Sequence, residues 1–189
     1  MIDRTKAPVS NGKINFQTPE VKVLTSNSNI SIYFVKKENL PIVYTTVICE
    51  AGSKKDPVAK NGLASLTSLL IDEGAGEFDA LQLSDEFEKL GSIFASSVNH
   101  DYNNFTLLSL KDNFESSFYL LSKILTAPHF KQNDFDREKK KLLDRIIQLQ
   151  DEPSYIASSV FDKIILKNTF YELPEIGLIS TINNINLDD

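Results

Sequence analysis

Changes of hydrophobic period along the chain constrain its fold more than any other feature. The segments VKVLT (Val21–Thr25) and ISIYFV (Ile30–Val35) flank the turn-rich SNSN, and a third β-branched segment, IVYTTVICE, begins at Ile42. Alternating segments of this kind around a polar turn are typical of hairpins, so three strands are predicted here. A helical period replaces the pattern after Asn61, and the two periods alternate again further along.

The first helical segment is GLASLTSLLIDEG, which ends at Gly74. Its leucines form one apolar stripe, at positions 63, 66, 69 and 70. Asn61 is placed to cap this helix, and Gly74 is placed to end it. A second helix is predicted from Asp79 to Leu90, because Asp79 and Gln82 have the spacing of a capping box.

The later segments predict a second hairpin and three more helices. The strands are SIFASSV and NNFTLLSL, with NHDYN as their turn. The helices run from the capping-box pair Asp112 and Glu115 to about Leu125, from about Asp134 to Gln150, and from Pro153 to about Leu166. Residues 167–189 are predicted to be loop.

The order β-β-β-α-α-β-β-α-α-α predicts an α+β fold. Hairpins separate the groups of helices, which favours a largely antiparallel sheet with helices packed on one face. Residues 1–18 are polar and aperiodic and are predicted to form an extended N-terminal arm. Residues 19–189 are predicted to form a single domain.

Charge and composition exclude several classes of partner. The net charge is −6 and the isoelectric point is near 5.0, so no nucleic acid and no anionic membrane is expected as a partner. Cys49 is the single cysteine, which rules out an internal disulfide. No window approaches the roughly 18 apolar residues of a membrane helix, so no membrane insertion is expected.

Familiar catalytic patterns are absent from the sequence. It has no G-x-S-x-G, G-x-x-x-x-G-K-[ST] or C-x-x-C pattern. The two histidines, His100 and His129, fall in predicted loops and have no partner at ligand spacing. Acidic pairs are predicted to lie on solvated helix faces, namely Asp134 with Asp136, Asp72 with Glu73, and Asp85 with Glu88. No metal and no cofactor is predicted from these residues.

The ordered set of segments nevertheless resembles the N-terminal domain of the pitrilysin/insulinase (M16) metallopeptidases. The similarity covers about residues 20–180 and includes AGS, GLA, EKLGS, the P-H-F before the long helix and DEP after it. The opening DRTKAPVSNGK is similar to the arm that precedes this domain in bacterial members. The resemblance implies an M16-like fold, and it implies that the second family domain is missing from this chain.

In active family members, the helix after GLA carries an inverted zinc motif, H-x-x-E-H. Aligned on GLA, its two histidines and its glutamate fall on Ser65, Leu69 and Ser68. The family's third ligand is a glutamate in the long helix, where Glu138 matches a supporting acid and Arg145 stands at the ligand position. Serine is a poor zinc ligand, leucine is none, and a guanidinium is repelled by the metal, so no catalytic zinc is expected.

The resemblance therefore implies a non-catalytic M16-like peptidase subunit. Such a subunit would bind peptide substrate and support a zinc metallopeptidase partner with an intact motif, or it would self-associate. Two alternatives stay open. One is an active zinc metalloendopeptidase with an atypical site, built from His100 or His129 with Glu138 or supplied by the missing half; the other is a structural scaffold subunit.

The compartment is expected from resemblance alone. Bacterial relatives of this type are commonly exported. A periplasmic or cell-envelope location is therefore expected if a signal peptide was removed, and a cytoplasmic location otherwise.

Overall fold

The structure is a computed structural model that describes residues 17–37 and 40–189. The chain divides into two compact units, residues 1–40 and residues 41–189. Most of the predicted N-terminal arm lies outside the described residues, so the arm stays a prediction.

The first unit contains the predicted hairpin. Strand β1 (Lys22–Thr25) pairs antiparallel with strand β2 (Ser31–Phe34). The Ser26 hydroxyl accepts a hydrogen bond from the Ile30 N–H at 3.0 Å, which holds the turn closed. Asn29 adopts a left-handed φ of 59° in this turn, a conformation that asparagine tolerates better than most residues.

The second unit contains five strands and six α-helices among the described residues. In chain order they are β3 (Ile42–Cys49), α1 (Leu63–Leu70), β4 (Gly74–Ala75), β5 (Phe78–Asp79), α2 (Ala80–Lys89), β6 (Ile93–Val98), β7 (Asn103–Leu110), α3 (Phe114–Thr126), α4 (Gln132–Gln150), α5 (Pro153–Ile165) and α6 (Ile179–Asn183).

The main sheet has the order β3-β7-β6, and both pairings are antiparallel. One face is buried, because alternate side chains of β7 such as Phe105 and Leu107 pack with Leu83 and Phe87 of α2 and with Leu121 of α3. The opposite face leaves apolar side chains exposed, including Ile42, Tyr44, Ile48 and Ile93. The predicted α+β fold, with helices packed on one face of an antiparallel sheet, is confirmed.

A second core lies between α1, α4 and the C-terminal segment. It contains Leu66 and Leu70 of α1, Phe135, Leu142 and Ile146 of α4, and the fully buried Ile182 and Ile185. The prediction of loop throughout residues 167–189 is therefore wrong, because α6 forms there and buries Ile182, and Ile185 is buried just after the helix. The Thr181 hydroxyl donates a hydrogen bond to the Asn61 carbonyl at 2.7 Å, which joins this segment to the start of α1.

The start of α1 differs from its prediction. Asn61 does not cap the helix; the N-cap is Gly62, whose φ is 99°. The Asp56 carboxylate instead accepts hydrogen bonds from the Gly62 N–H at 2.8 Å and the Ala64 N–H at 3.0 Å. A Cβ at Gly62 would lie 2.4 Å from the Ile182 side chain, so glycine is needed here for space as well as for its φ.

The two predicted capping boxes have opposite outcomes. Asp79 and Gln82 form the box at the start of α2, with bonds of 2.9 Å and 3.0 Å. The prediction of a box at Asp112 is wrong. A 3-10 turn at Lys111–Asn113 precedes α3, and Asn113 is the N-cap, without a side-chain cap bond.

Helix α5 has an exposed apolar face. None of its residues is buried, and the exposed ones include Ile156, Val160, Phe161, Ile164 and Ile165. Among the described residues, no helix combines the length and the apolar character needed to cross a membrane.

Removal of the Asp56 carboxylate tests how α1 is capped. We expect Asp56→Ala to lower the free energy of unfolding by about 1–2 kcal/mol, since two helix N–H groups lose their acceptor. Asp56→Asn keeps one acceptor oxygen and should cost less. Urea unfolding followed by circular dichroism measures both variants.

The pH dependence of the free energy of unfolding provides a second test of the role of Asp56. Burial raises the pKa of Asp56 and outweighs the opposing backbone hydrogen bonds. Because the folded-state pKa lies above the unfolded one, this group's contribution to stability is full below the unfolded pKa and is lost as pH rises through the folded pKa. Asp56→Asn should remove that decline, and an unchanged decline in this variant would contradict the assignment.

Candidate functional site

The predicted site helix, α1, lies between the edge strand β6 and the long helix α4. The Ser68 hydroxyl donates to the Ser96 hydroxyl of β6 at 2.9 Å, and the Ser96 hydroxyl donates back to the Ser68 carbonyl at 2.7 Å. On the other side, Leu66 and Leu70 pack into the core shared with α4. Polar contacts on one side and apolar burial on the other therefore fix the orientation of α1.

The three positions predicted to correspond to the zinc motif have different surroundings. The Ser65 hydroxyl donates to the Glu175 carbonyl at 2.7 Å. Ser68 is only 6% exposed and its hydroxyl bonds to β6, whereas Leu69 is 41% exposed. Both serine hydroxyl protons are thus used in hydrogen bonds that hold neighbouring segments against α1.

Glu138 of α4 is a buried, charge-paired carboxylate. Its side chain is 6% exposed, and its Oε1 accepts hydrogen bonds from Lys141 Nζ at 2.7 Å and Arg137 Nε at 3.0 Å. Burial opposes ionisation, but these two hydrogen bonds outweigh it and hold the pKa of Glu138 below its usual value. The supporting acid implied by the resemblance is therefore ionised and neutralised by two cations.

Arg137 connects this carboxylate to α1. Its guanidinium also lies 2.6 Å from Glu73, just after α1, and 2.6 Å from Asp134 of its own helix. Hydrogen bonds to Glu73, Asp134 and Glu138 raise the pKa of Arg137 further above its already high ordinary value. The cluster clamps the C-terminal end of α1 onto α4.

Arg145, at the predicted ligand position, is in a different setting. Its side chain is 54% exposed, and its Nη1 lies 3.9 Å from a Glu152 carboxylate oxygen at the start of α5. The polar contacts of Ser65, Ser68 and Arg145 thus go to three different neighbours.

The two histidines occupy separate loops. His100 Nε2 lies 3.0 Å from the Leu173 carbonyl, and its Nδ1 lies 3.8 Å from Glu175. His129 Nε2 lies 2.8 Å from the Gly76 carbonyl, while its buried Nδ1 has no hydrogen-bond partner among the described residues. In the described part of the chain, no group of three or more His, Cys, Asp or Glu side chains is arranged to hold a metal ion.

A free strand edge beside α1 was not identified from sequence. In the part of the chain that the structure describes, β6 is at the end of the three-stranded sheet and pairs only with β7. Its sequence, IFASSV, contains no charged residue and no proline, the usual features that protect an edge from pairing. Strand order depends on tertiary pairing, so the sequence could predict the strand but not its position at the edge.

The comparisons with known proteins identify the family. A family model described as insulinase (peptidase family M16) matches residues 32–175. The chain belongs to the M16 family.

Two relatives of this M16 domain have names that describe them as a non-peptidase or as inactive. A Helicobacter pylori protein named "Non-peptidase homolog YmxG" is 21% identical over 164 residues, which cover 87% of this chain and 38% of that protein. The crystal structure of a peptidase M16 inactive domain from Pseudomonas fluorescens matches with a TM-score of 0.85 at 26% identity, over 89% of this chain and 41% of that one.

A structure of a protease from Helicobacter pylori has the same fold. It matches with a TM-score of 0.80 at 16% identity, over 90% of this chain and 41% of that chain. The chain thus spans about two fifths of the length of these relatives. The fold and the family implied by the resemblance are confirmed, and so is a likeness to members described as inactive.

Two arginines of α4 provide a matched test of the charge cluster. We expect Arg137→Met to lower the free energy of unfolding by a clearly measurable amount, because buried Glu138 loses one of its two donors. Arg145→Met should change it by less than about 0.5 kcal/mol, since Arg145 is exposed and has one distant partner. Urea unfolding measures both, and equal losses in the two variants would contradict the role assigned to Arg137.

Proposed function

We propose that this chain belongs to a non-catalytic M16 subunit that binds peptide substrate and supports an M16 partner carrying an intact zinc motif. The observation that carries the proposal is the state of α1. Its serine hydroxyls at positions 65 and 68 donate to a backbone carbonyl and to β6, and the remaining motif position is a leucine.

The chemistry of peptide hydrolysis supports the non-catalytic part of the proposal. A catalytic zinc needs three protein ligands and a fourth, open position for water, and the water needs a general base. The side chains at the motif positions supply none of these. The serine hydroxyls are engaged in hydrogen bonds, Leu69 is aliphatic, and Arg145 is a cation. The names of the relatives described as inactive or as a non-peptidase agree with this reading.

Strand β6 supports the peptide-binding part. An extended peptide can add to an unpaired strand edge through main-chain hydrogen bonds, which give affinity without requiring any catalytic group. The β6 edge lies beside α1, through the Ser68 and Ser96 pair, and carries no charge that would repel an added strand. A domain that has lost zinc ligands keeps this edge, since main-chain groups do not depend on those side chains.

Reconstitution tests the supporting role. The intact protein, purified alone, should contain no stoichiometric zinc and cleave no fluorogenic peptide, whereas adding its M16 partner with an H-x-x-E-H motif should produce activity above that of the partner alone. Metal analysis and peptidase assays measure this.

Two results would contradict the supporting role. One tightly bound zinc per chain, removed by a chelator with loss of peptidase activity, would indicate an active enzyme. A partner equally active with and without this protein would indicate a scaffold.

Backbone methylation tests the β6 edge. We expect an extended peptide to lose at least about tenfold in affinity when N-methyl groups block the alternate amides that face β6, because each blocked amide loses a hydrogen bond. The control is the same peptide methylated at the intervening amides, which face away. Fluorescence anisotropy with the intact protein measures both series, and equal affinities would exclude strand addition.

A further inference from the structure

A groove lies between α2 and the first residues of β6. Its volume is about 280 Å³. This is close to the lower end of the about 300–1,000 Å³ that small-ligand pockets usually have, and it is large enough for one long side chain. Its apolar lining includes Leu83, Phe87 and Phe94, and the first two are 2% and 7% exposed.

Two carboxylates, Asp72 and Glu88, also line the groove. Within the described residues, neither makes an ion pair with a side chain. The nearest cation along α2, Lys89, already lies 2.7 Å from Glu86. Desolvation raises the pKa of Asp72, and the negative charges of Glu73 and Glu138 raise it further. The groove therefore combines an apolar lining with uncompensated negative charge.

The position of the groove relates it to the free edge of β6. Ile93 and Phe94 belong both to the groove lining and to that strand. A peptide strand added to the edge would lie about 4.8 Å from β6. Alternate side chains of the peptide would be directed to the helix-covered face of the sheet, where Phe94 packs with Phe87 at a ring separation of 6.1 Å.

We propose that this groove receives the lysine or arginine side chain of an extended peptide paired with β6. The aliphatic stem would pack on Phe87 and Phe94, and the cation would reach Asp72 and Glu88, as long basic side chains do at apolar surfaces with a polar rim. This inference rests on the proposed peptide-binding function and adds a substrate class, cationic peptides.

Other side chains fit the groove less well. A norleucine side chain has the same stem but leaves the two carboxylates without a counter-charge. A glutamate side chain would add a third negative charge near Asp72 and Glu88. The net charge of −6 also favours the approach of a cationic peptide over an acidic one.

Peptide series test this preference with the intact protein. Each series carries lysine, norleucine or glutamate at one position, and the position is moved along an otherwise neutral, alternating sequence. At one position, the lysine peptide should bind at least about tenfold more tightly than the norleucine peptide at low salt, and high salt should reduce the difference. Fluorescence anisotropy measures the affinities.

Neutral variants identify the carboxylates responsible. Asp72→Asn with Glu88→Gln should abolish the lysine preference and leave the affinity for the norleucine peptide unchanged. The control is Asp85→Asn, which removes an exposed carboxylate from the same helix outside the groove and should keep the preference.

The outcomes separate the two proposals. Binding of every peptide with no lysine preference, or a preference that survives in the double variant, would overturn the groove and leave peptide binding intact. Failure of all peptides to bind would overturn both proposals.

Discussion

The packing of α1 between α4 and β6 is the contact on which the candidate site depends. Leu66 and Leu70 are buried against α4, and full burial of a leucine contributes about 1.5–3 kcal/mol. Arg137 adds a charged clamp from Glu138 to Glu73 at the end of the helix. Apolar burial and this clamp fix the helix, so its placement does not require a metal ion.

Sequence periodicity predicted the long elements well, because each spans several turns or several alternations. The hairpins, α1 to α5 and the capping box at Asp79 are confirmed. The failures have a common cause, which is that the deciding contact is distant along the chain or the element is very short. Asp56 caps α1 across several intervening residues, and α6 is stabilised by burying Ile182 and Ile185 in a core made by α1 and α4.

In the candidate site, too, some features could be predicted from the sequence and others could not. The resemblance identified Ser65, Ser68, Leu69 and Arg145 as altered motif positions. This identification needs only the residue types, which the sequence contains. The partner of Ser65 is the carbonyl of Glu175, far along the chain, and only the fold determines that contact. The free edge of β6 likewise follows from strand order, which residue patterns do not encode locally.

Helix α4 contains one charged residue that the fold requires, Glu138, and one that it does not require, Arg145. Glu138 is buried and would be costly to leave unpaired, so its two donors, Arg137 and Lys141, are required by the fold whatever the domain does. Arg145 is exposed and weakly paired, and it is therefore free of such a requirement. Retention of an acid in this helix is consequently no argument for a working metal site.

Binding and chemistry are separable in this domain because they use different atoms. The metal route would need side chains on α1 and α4, whereas the proposed peptide contacts use main-chain groups of β6 and a groove between α2 and β6. Replacement of the ligand side chains therefore does not remove the main-chain groups that the proposed peptide would use. In an assembly with an active partner, a second binding surface raises the effective peptide concentration at the first, so a domain without chemistry can still increase the assembly's affinity for its substrate.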